Sequence, residues 1–115
     1  MQQEFLESRK KNIAKAGMDT KLISESIKWC ENSNKYNYTY NFSWLGRPII
    51  QYPQDMIALQ EIIWDVKPDM IIETGIAHGG SLIFSASMLN LLEACGEIEN
   101  GKVLGIDIDI REHNK

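Results

Sequence analysis

The stretch MIIETGIAHGGS, residues 70–81, decides the fold of this chain. It opens with a short apolar run, which predicts a strand buried on both faces of a parallel sheet, and continues into a glycine-rich loop. A helical pattern follows over residues 81–94, and a second apolar run, VLGIDID, covers residues 103–109. Strand, loop, helix and strand together predict a right-handed, parallel βαβ unit and therefore an α/β fold.

The residues before this unit predict further elements. Aromatic side chains at every second position of residues 38–44 are typical of an extended strand with one buried face, and the Gly46-Arg47-Pro48 stretch breaks that pattern. We predict three helices by their caps and apolar spacing: residues 2–16 ending at Gly17, residues 20–30 capped by Asp19 or Thr20, and residues 53–66 opened by Pro53.

The composition limits the classes of function. Of the 115 residues, 43% are hydrophobic and 24% are charged, which is typical of a globular protein, and the net charge of −4 argues against a nucleic-acid partner. Cys30 and Cys95 are too isolated for a disulfide framework or a metal pair. No apolar run approaches the roughly 20 residues of a membrane span, and the N-terminus lacks a secretion signal. We therefore expect a cytoplasmic protein without a membrane partner.

The glycine-rich loop lies where open α/β sheets bind ligands, after a strand and before a helix. Gly75 permits a tight turn, Gly79 and Gly80 leave space for a ligand close to the backbone, and Ser81 can cap the helix or bond the ligand. The spacing Gly-x-x-x-Gly-Gly differs from the Gly-x-Gly-x-x-Gly of dinucleotide sites and lacks the Gly-Lys-Ser/Thr of a P-loop. A NAD-dependent dehydrogenase is therefore disfavoured.

Acidic residues close both predicted strands. Asp107 ends the second strand, where a carboxylate can accept hydrogen bonds from both hydroxyls of a ribose. Glu73 comes just before the glycines, where a carboxylate suits a cationic ligand better than a phosphate. A sulfonium compound with an amino-acid tail fits this charge pattern better than NAD or ATP does. Asp109 either touches the ligand or has a structural role, in which it ends the strand or pairs with Arg111.

These motifs, ETGIAHGGS at residues 73–81 and GIDID at residues 105–109, resemble those of methyltransferases related to catechol O-methyltransferase. The chain is more similar to the cephalosporin hydroxylase/rhamnosyl O-methyltransferase family, through WLGRP at 44–48, QYPQD at 51–55, IW at 63–64 and KPD at 67–69. The resemblance covers about residues 38–111. It implies a Rossmann-like methyltransferase fold, of which this chain holds N-terminal helices and the first βαβ unit of a parallel sheet.

The resemblance also implies a division and a ligand site. Residues 1–52 would form a helical and aromatic extended segment, and residues 53–115 the first part of a truncated cofactor-binding domain. S-adenosylmethionine would be the cofactor, with Asp107 on its ribose. The other residues expected around the cofactor are Glu73, Gly75, Ile76, His78, Gly79, Gly80 and Ser81. Of these, Glu73, the three glycines and Ser81 would line its methionine and sulfonium end. For His78, a position that faces solvent is as compatible with the sequence as contact with the cofactor. Catalytic residues and metal ligands cannot be assigned, and any Mg²⁺ would bind residues beyond this chain.

The implied reaction passes a methyl group from the sulfonium to a hydroxyl of a sugar or another small metabolite. One alternative is an iron oxygenase of the cephalosporin hydroxylase type, although His78 and His113 are the two histidines of the chain and neither belongs to a His-x-Asp pair. Another is a truncated, non-catalytic domain, whose exposed apolar faces and sheet edge would favour self-association. A homo-oligomer is compatible with each of these readings.

Overall fold

A computed structural model describes residues 2–115 of the chain, and the described residues form two compact units. The first unit ends at Asn37 and the second is Tyr38–Lys115. The predicted division after residue 52 concerns the limits of a cofactor-binding domain and stays a prediction. The helices are α1 (Gln2–Met18), α2 (Thr20–Ser33), α3 (Pro53–Val66) and α4 (Gly80–Ala94), and the strands are β1 (Phe42–Trp44), β2 (Arg47–Ile49), β3 (Met70–Thr74) and β4 (Lys102–Ile106).

The first unit consists of α1 and α2 with a short 3-10 turn after α2. Asp19 lies in extended conformation before α2, and its Oδ1 accepts a hydrogen bond from the Leu22 amide at 2.9 Å. This is the side-chain cap that the sequence predicts. Helix α1 continues through Gly17 to Met18, so glycine does not end it. Neither helix has a buried residue among those described.

The predicted strand over residues 38–44 is wrong for its first half. Tyr38–Tyr40 forms a 3-10 turn, and only Phe42–Trp44 is a strand. The Tyr38 and Phe42 rings meet edge to face with centroids 5.1 Å apart. In an extended chain, residues four apart are about 13 Å apart along the strand. The turn therefore brings together aromatic rings that a strand would separate.

The predicted break at Gly46-Arg47-Pro48 is a hairpin turn followed at once by a strand. Leu45 and Gly46 have φ values of 46° and 82°, which suit the two central residues of a tight hairpin. Strand β2 then pairs antiparallel with β1, with Trp44 opposite Arg47. Pro48 is tolerated because the sheet has two strands and each is an edge strand.

The βαβ unit is confirmed as a parallel pair of strands with α4 between them in sequence. Strand β3 pairs with β4 in parallel, from Met70 opposite Lys102 to Thr74 opposite Ile106. Strand β4 ends at Ile106, so Asp107 follows the strand and does not lie within it. Helix α3 has the predicted bounds and joins the same core. That core consists of Ile63, Leu89, Leu92 and Ile98, with Ile71, Met88 and Val103 packed against it.

The two faces of the parallel sheet differ in burial. Ile71 and Val103 pack on the core. The residues that alternate with them remain exposed, at 59% for Ile72 and 47% for Leu104. The prediction of a strand buried on both faces is therefore wrong for the described chain, because α4 covers one face and nothing in residues 2–115 covers the other. None of the helices in this range has both the length and the hydropathy of a membrane span.

Candidate functional site

The glycine-rich loop joins β3 to α4 at the carboxyl edge of the parallel sheet. The Gly75 amide donates to the Ile106 carbonyl at 2.8 Å and so continues the strand pairing into the loop. The Gly79 amide donates to the Ile76 carbonyl at 2.8 Å and closes a tight turn. Gly75 and Gly79 both have φ near +80°, and Ala77 between them has φ +48°. Gly75 has the unusual φ that the sequence analysis expected, but the tight turn itself is Ile76–Gly79, one residue later.

Asp107 fastens this loop to the end of β4. Its Oδ2 accepts from the Ile76 amide at 2.7 Å, and its Oδ1 accepts from the Asp109 amide at 3.0 Å. These hydrogen bonds, that from Ile76 first, lower the pKa of Asp107 and outweigh its partial desolvation. Each carboxylate oxygen has two acceptor positions. The carboxylate is therefore an ionised acceptor for the hydroxyl donors of a ligand.

Glu73 and Ser81 form the other end of the site. The Ser81 hydroxyl donates to Oε1 of Glu73 at 2.5 Å, and both side chains are partly buried. Helix α4 begins at Gly80 with Gly79 in the N-cap position and without a side-chain cap. Ser81 as a helix cap is therefore wrong, whereas its contact with a ligand stays a prediction. The second oxygen of Glu73 is the acceptor that faces a cationic ligand in our hypothesis.

Gly80 is a packing residue. A Cβ on Gly80 would lie 2.2 Å from the Pro48 carbonyl oxygen and 2.8 Å from the Ile49 Cα. The space beside this glycine, which the sequence analysis reserved for a ligand, is filled by the backbone of β2. A Cβ on Gly79 would lie 3.3 Å from Oδ1 of Asn114. Close approach of backbone is therefore the reason for glycine at 80, and a left-handed φ is the reason at 79.

Two adjoining cavities flank the loop. The first, of about 310 Å³, lies between the loop and β2, and the second, of about 550 Å³, lies beside Asp107. Both volumes are in the range of small-molecule sites. Three residues line both cavities: Ile50, Ala77 and His78. The first also contains the predicted residues Glu73, Gly75, Ile76, Gly80 and Ser81, so the structure brings seven of the eight together and leaves Gly79 outside the lining.

His78 is exposed, but it is not isolated in solvent. Its ring stacks on that of His113, with centroids 4.8 Å apart and planes at 23°. Among residues 2–115 no three His, Cys, Asp or Glu side chains converge as metal ligands. The described residues therefore do not bring together the two histidines and the carboxylate of an iron triad. Asp109 pairs with Arg111, Oδ2 to Nε, at 3.8 Å on the surface, which was one of its predicted roles.

Sequence reasoning missed several residues of the cavity walls. Strand β2 with the following Ile50 and Gln51 forms one wall, and Tyr40 and His113 line the second cavity. The wall formed by β2, Ile50 and Gln51 was indicated only by the family resemblance at residues 44–55, because apolar residues and a proline carry no chemical signature. His113 was noticed only as a histidine without a paired acid. No local pattern relates it to the glycine loop, which lies 36 residues earlier.

Comparisons with known proteins agree with this reading of the residues. The family model described as Rhamnosyl O-methyltransferase/CmcI matches residues 36–115. A similar curated protein is the rhamnosyl O-methyltransferase of Mycobacterium leprae (strain TN), which is 31% identical over 91 residues. The matched region is 79% of this chain and 36% of that protein, so the chain spans little more than a third of its relative's length. No solved structure matches the chain.

Proposed function

This chain belongs to the Rhamnosyl O-methyltransferase/CmcI family, and from that premise we propose that it is the cofactor-binding part of an S-adenosylmethionine-dependent O-methyltransferase. The proposal includes a Rossmann-like methyltransferase fold, with β3, α4 and β4 as its first βαβ unit. The acceptor in this proposal is a hydroxyl of a sugar or of another small metabolite. Its support is the name of the related protein, which specifies a rhamnosyl group.

The arrangement of Asp107 carries the proposal. Two backbone amides hold its carboxylate at the carboxyl edge of the sheet and keep it ionised. Asp107 lines the larger cavity together with His78 and Tyr40. A ribose offers two adjacent hydroxyl donors, and one ionised carboxylate can accept from both. Charge-assisted hydrogen bonds of this kind are about twice as strong as neutral ones.

Glu73 supports the amino-acid and sulfonium end. It lies on the smaller cavity with Ser81, whose hydroxyl holds one of its oxygens. Ile50, Ala77 and His78 line both cavities and so form the border between them. A ligand that crosses this border would place its diol near Asp107 and its cationic part near Glu73. The carboxylates fit a cation with a ribose better than they fit a pyrophosphate, which they would repel.

S-adenosylmethionine, when bound, supplies a methyl group on a positively charged sulfur. The described residues would contribute binding and orientation of that group, which is the main contribution of a protein to such a transfer. Any Mg²⁺ in the complete enzyme would, in this proposal, be held by residues beyond this chain. A catalytic base is likewise not assigned to any residue of this chain.

Calorimetric titration of the protein with S-adenosylhomocysteine and, separately, with NAD tests this function. We expect saturable binding of S-adenosylhomocysteine alone. The Asp107→Ala variant should bind it about 10- to 100-fold more weakly, as expected for loss of hydrogen bonds to a charged group. Asp65→Ala is the matched control, because Asp65 is an exposed aspartate on α3. A folded protein that binds neither ligand, or that binds NAD equally well, contradicts the proposal.

A further inference from the structure

The carbonyl of Ala77, in the middle of the glycine loop, is held from outside the loop. Asn114 Nδ2 donates to it at 2.6 Å, and His113 Nε2 lies 3.2 Å from it as a second donor. Ala77 has φ +48°, a left-handed conformation that residues with a Cβ rarely adopt. The sequence around Ala77 does not favour this conformation. Contacts from elsewhere must therefore keep it in place.

The residues that hold Ala77 are themselves tied to the opposite wall of the site. Arg47 Nη1, on β2, donates to the His113 carbonyl at 2.8 Å. The His113 ring also stacks on His78, the residue after Ala77. Residues 111–114, which we name the clamp segment, therefore connect β2 to the glycine loop. One hydrogen bond joins the segment to β2, and two hydrogen bonds and a ring contact join it to the loop.

We propose that Arg47, His113 and Asn114 are positioning residues that hold the glycine loop in its cofactor-binding conformation. The inference rests on the proposed function, because it concerns the same site. Ala77 is one of the two residues between Ile76, whose amide donates to Asp107, and Gly79, whose amide closes the turn. Release of the Ala77 carbonyl lets this residue return to a right-handed or extended conformation. That change moves the Ile76 amide away from Asp107 and alters both cavities.

We expect substitutions in the clamp segment to lower the affinity for the cofactor, because fewer molecules would have the loop in its binding conformation. When only a fraction of the molecules has the binding conformation, the apparent dissociation constant rises by the inverse of that fraction. We expect Asn114→Ala and His113→Ala each to weaken binding of S-adenosylhomocysteine about tenfold, measured by calorimetry. Lys115→Ala is the control, since both the ammonium and the backbone amide of Lys115 bind Glu112 rather than the loop.

A second substitution separates positioning from direct contact with the ligand. Glycine adopts a left-handed φ without steric cost, so Ala77→Gly should keep the loop conformation when the clamp is weakened. We expect Ala77→Gly in the Asn114→Ala background to restore most of the lost affinity. Restoration of this kind is not expected if Asn114 merely touches the cofactor or stabilises the fold. Circular dichroism of each variant establishes that the protein is folded.

Hydrogen exchange of the Ile76 and Gly79 amides in the absence of ligand supplies an independent reading. We expect faster exchange in Asn114→Ala and His113→Ala than in Lys115→Ala. Unchanged affinity and unchanged exchange in both clamp variants would overturn the inference. If the wild-type protein does not bind S-adenosylhomocysteine, the proposed function fails together with the cofactor role of the clamp. Exchange of the loop amides then still decides whether residues 113 and 114 hold the loop.

Discussion

Helices α2 and α4 begin in opposite ways. The start of α2 is fixed by a neighbour in sequence, because Asp19 accepts a hydrogen bond from the amide of Leu22. The start of α4 has no side-chain cap, and Gly79 precedes it with a left-handed φ. Helix α2 has no buried residue among those described, whereas five residues of α4 are buried: Gly80, Phe84, Ser85, Leu89 and Leu92.

The difference shows what positions the candidate site. A capped helix needs only its own sequence to define its first turn. The first turn of α4 lies instead against the backbone of Pro48 and Ile49, more than 30 residues earlier in the chain. The glycine loop before α4 thus depends on contact with β2. The contact of α4 with β2 forms one wall of the site. The hydrogen bond between Asp19 and the Leu22 amide has no equivalent at the start of α4.

Substitution of Gly80 should break this long-range contact and have the largest effect. In Gly80→Ala the new Cβ would lie 2.2 Å from the Pro48 oxygen, and this neighbour is backbone that cannot rotate away. We expect a loss of about 3 kcal/mol in the free energy of unfolding, as for severe overpacking. Urea denaturation followed by circular dichroism measures it.

Gly17→Ala is the matched control for that experiment. Gly17 lies in α1, and a Cβ there would meet nothing within 4 Å. Alanine is a better helix former than glycine by about 0.5–1 kcal/mol, so this variant should be slightly stabilised. The two substitutions are the same chemical change in a helix and are expected to differ in sign. An equal gain in stability from Gly80→Ala would refute the packing role of this residue.

Substitution of Asp19 should break the local contact at α2 and have an intermediate effect. Asp19→Ala removes the acceptor of the Leu22 amide, and we expect a loss of about 1 kcal/mol in the stability of α2. Hydrogen exchange of the first-turn amides of α2 measures it. Asp19→Asn retains a side-chain oxygen and should behave nearly as the wild type. If Asp19→Ala also accelerates exchange in α4, the two helix starts are not independent.

Features that depend on near neighbours could be predicted from the sequence. The cap at Asp19, the bounds of α3 and the left-handed φ of Gly75 follow from residues a few positions apart. The parallel pairing, which joins Met70 to Lys102, was predicted from the order of the elements. The two acids were located for the same reason. They directly follow apolar runs, or end them, and parallel strands bring their carboxyl ends to one edge of the sheet.

Features that depend on distant contacts could not be predicted. A continuous apolar run indicates that both faces of a strand are apolar but does not say which face has a partner, so the bare face of the sheet at Ile72 and Leu104 was missed. Gly80 was read as space for a ligand because its neighbour Pro48 is not visible in a local pattern. Likewise, no spacing rule connects Asn114 with Ala77. The walls of the site are therefore less predictable than its charged ends.

Substitution of Asp107 should have the smallest effect on stability. It sharpens the comparison because the carboxylate of Asp107, like that of Asp19, accepts hydrogen bonds from the backbone. Hydrogen bonds from Ile76 and Asp109 lower the pKa of Asp107 in the folded chain. An ordinary aspartate has a pKa of about 3.9. The stabilisation is therefore complete above about pH 4 to 5 and is lost as the pH falls through the lower, folded value. Its size is small because solvent screens a half-exposed carboxylate.

Asp107→Asn removes this titration and should flatten the acid limb of the stability curve. We expect the free energy of unfolding of the wild type to fall more steeply below about pH 4 than that of Asp107→Asn. Above about pH 5 the difference between the two should be constant. Asp65→Asn, on the exposed surface of α3, should follow the wild type throughout. If the stability of the wild type relative to Asp107→Asn instead rises as the pH falls below about 4, the sign is opposite, and the carboxylate is not held in its ionised form by the loop amides.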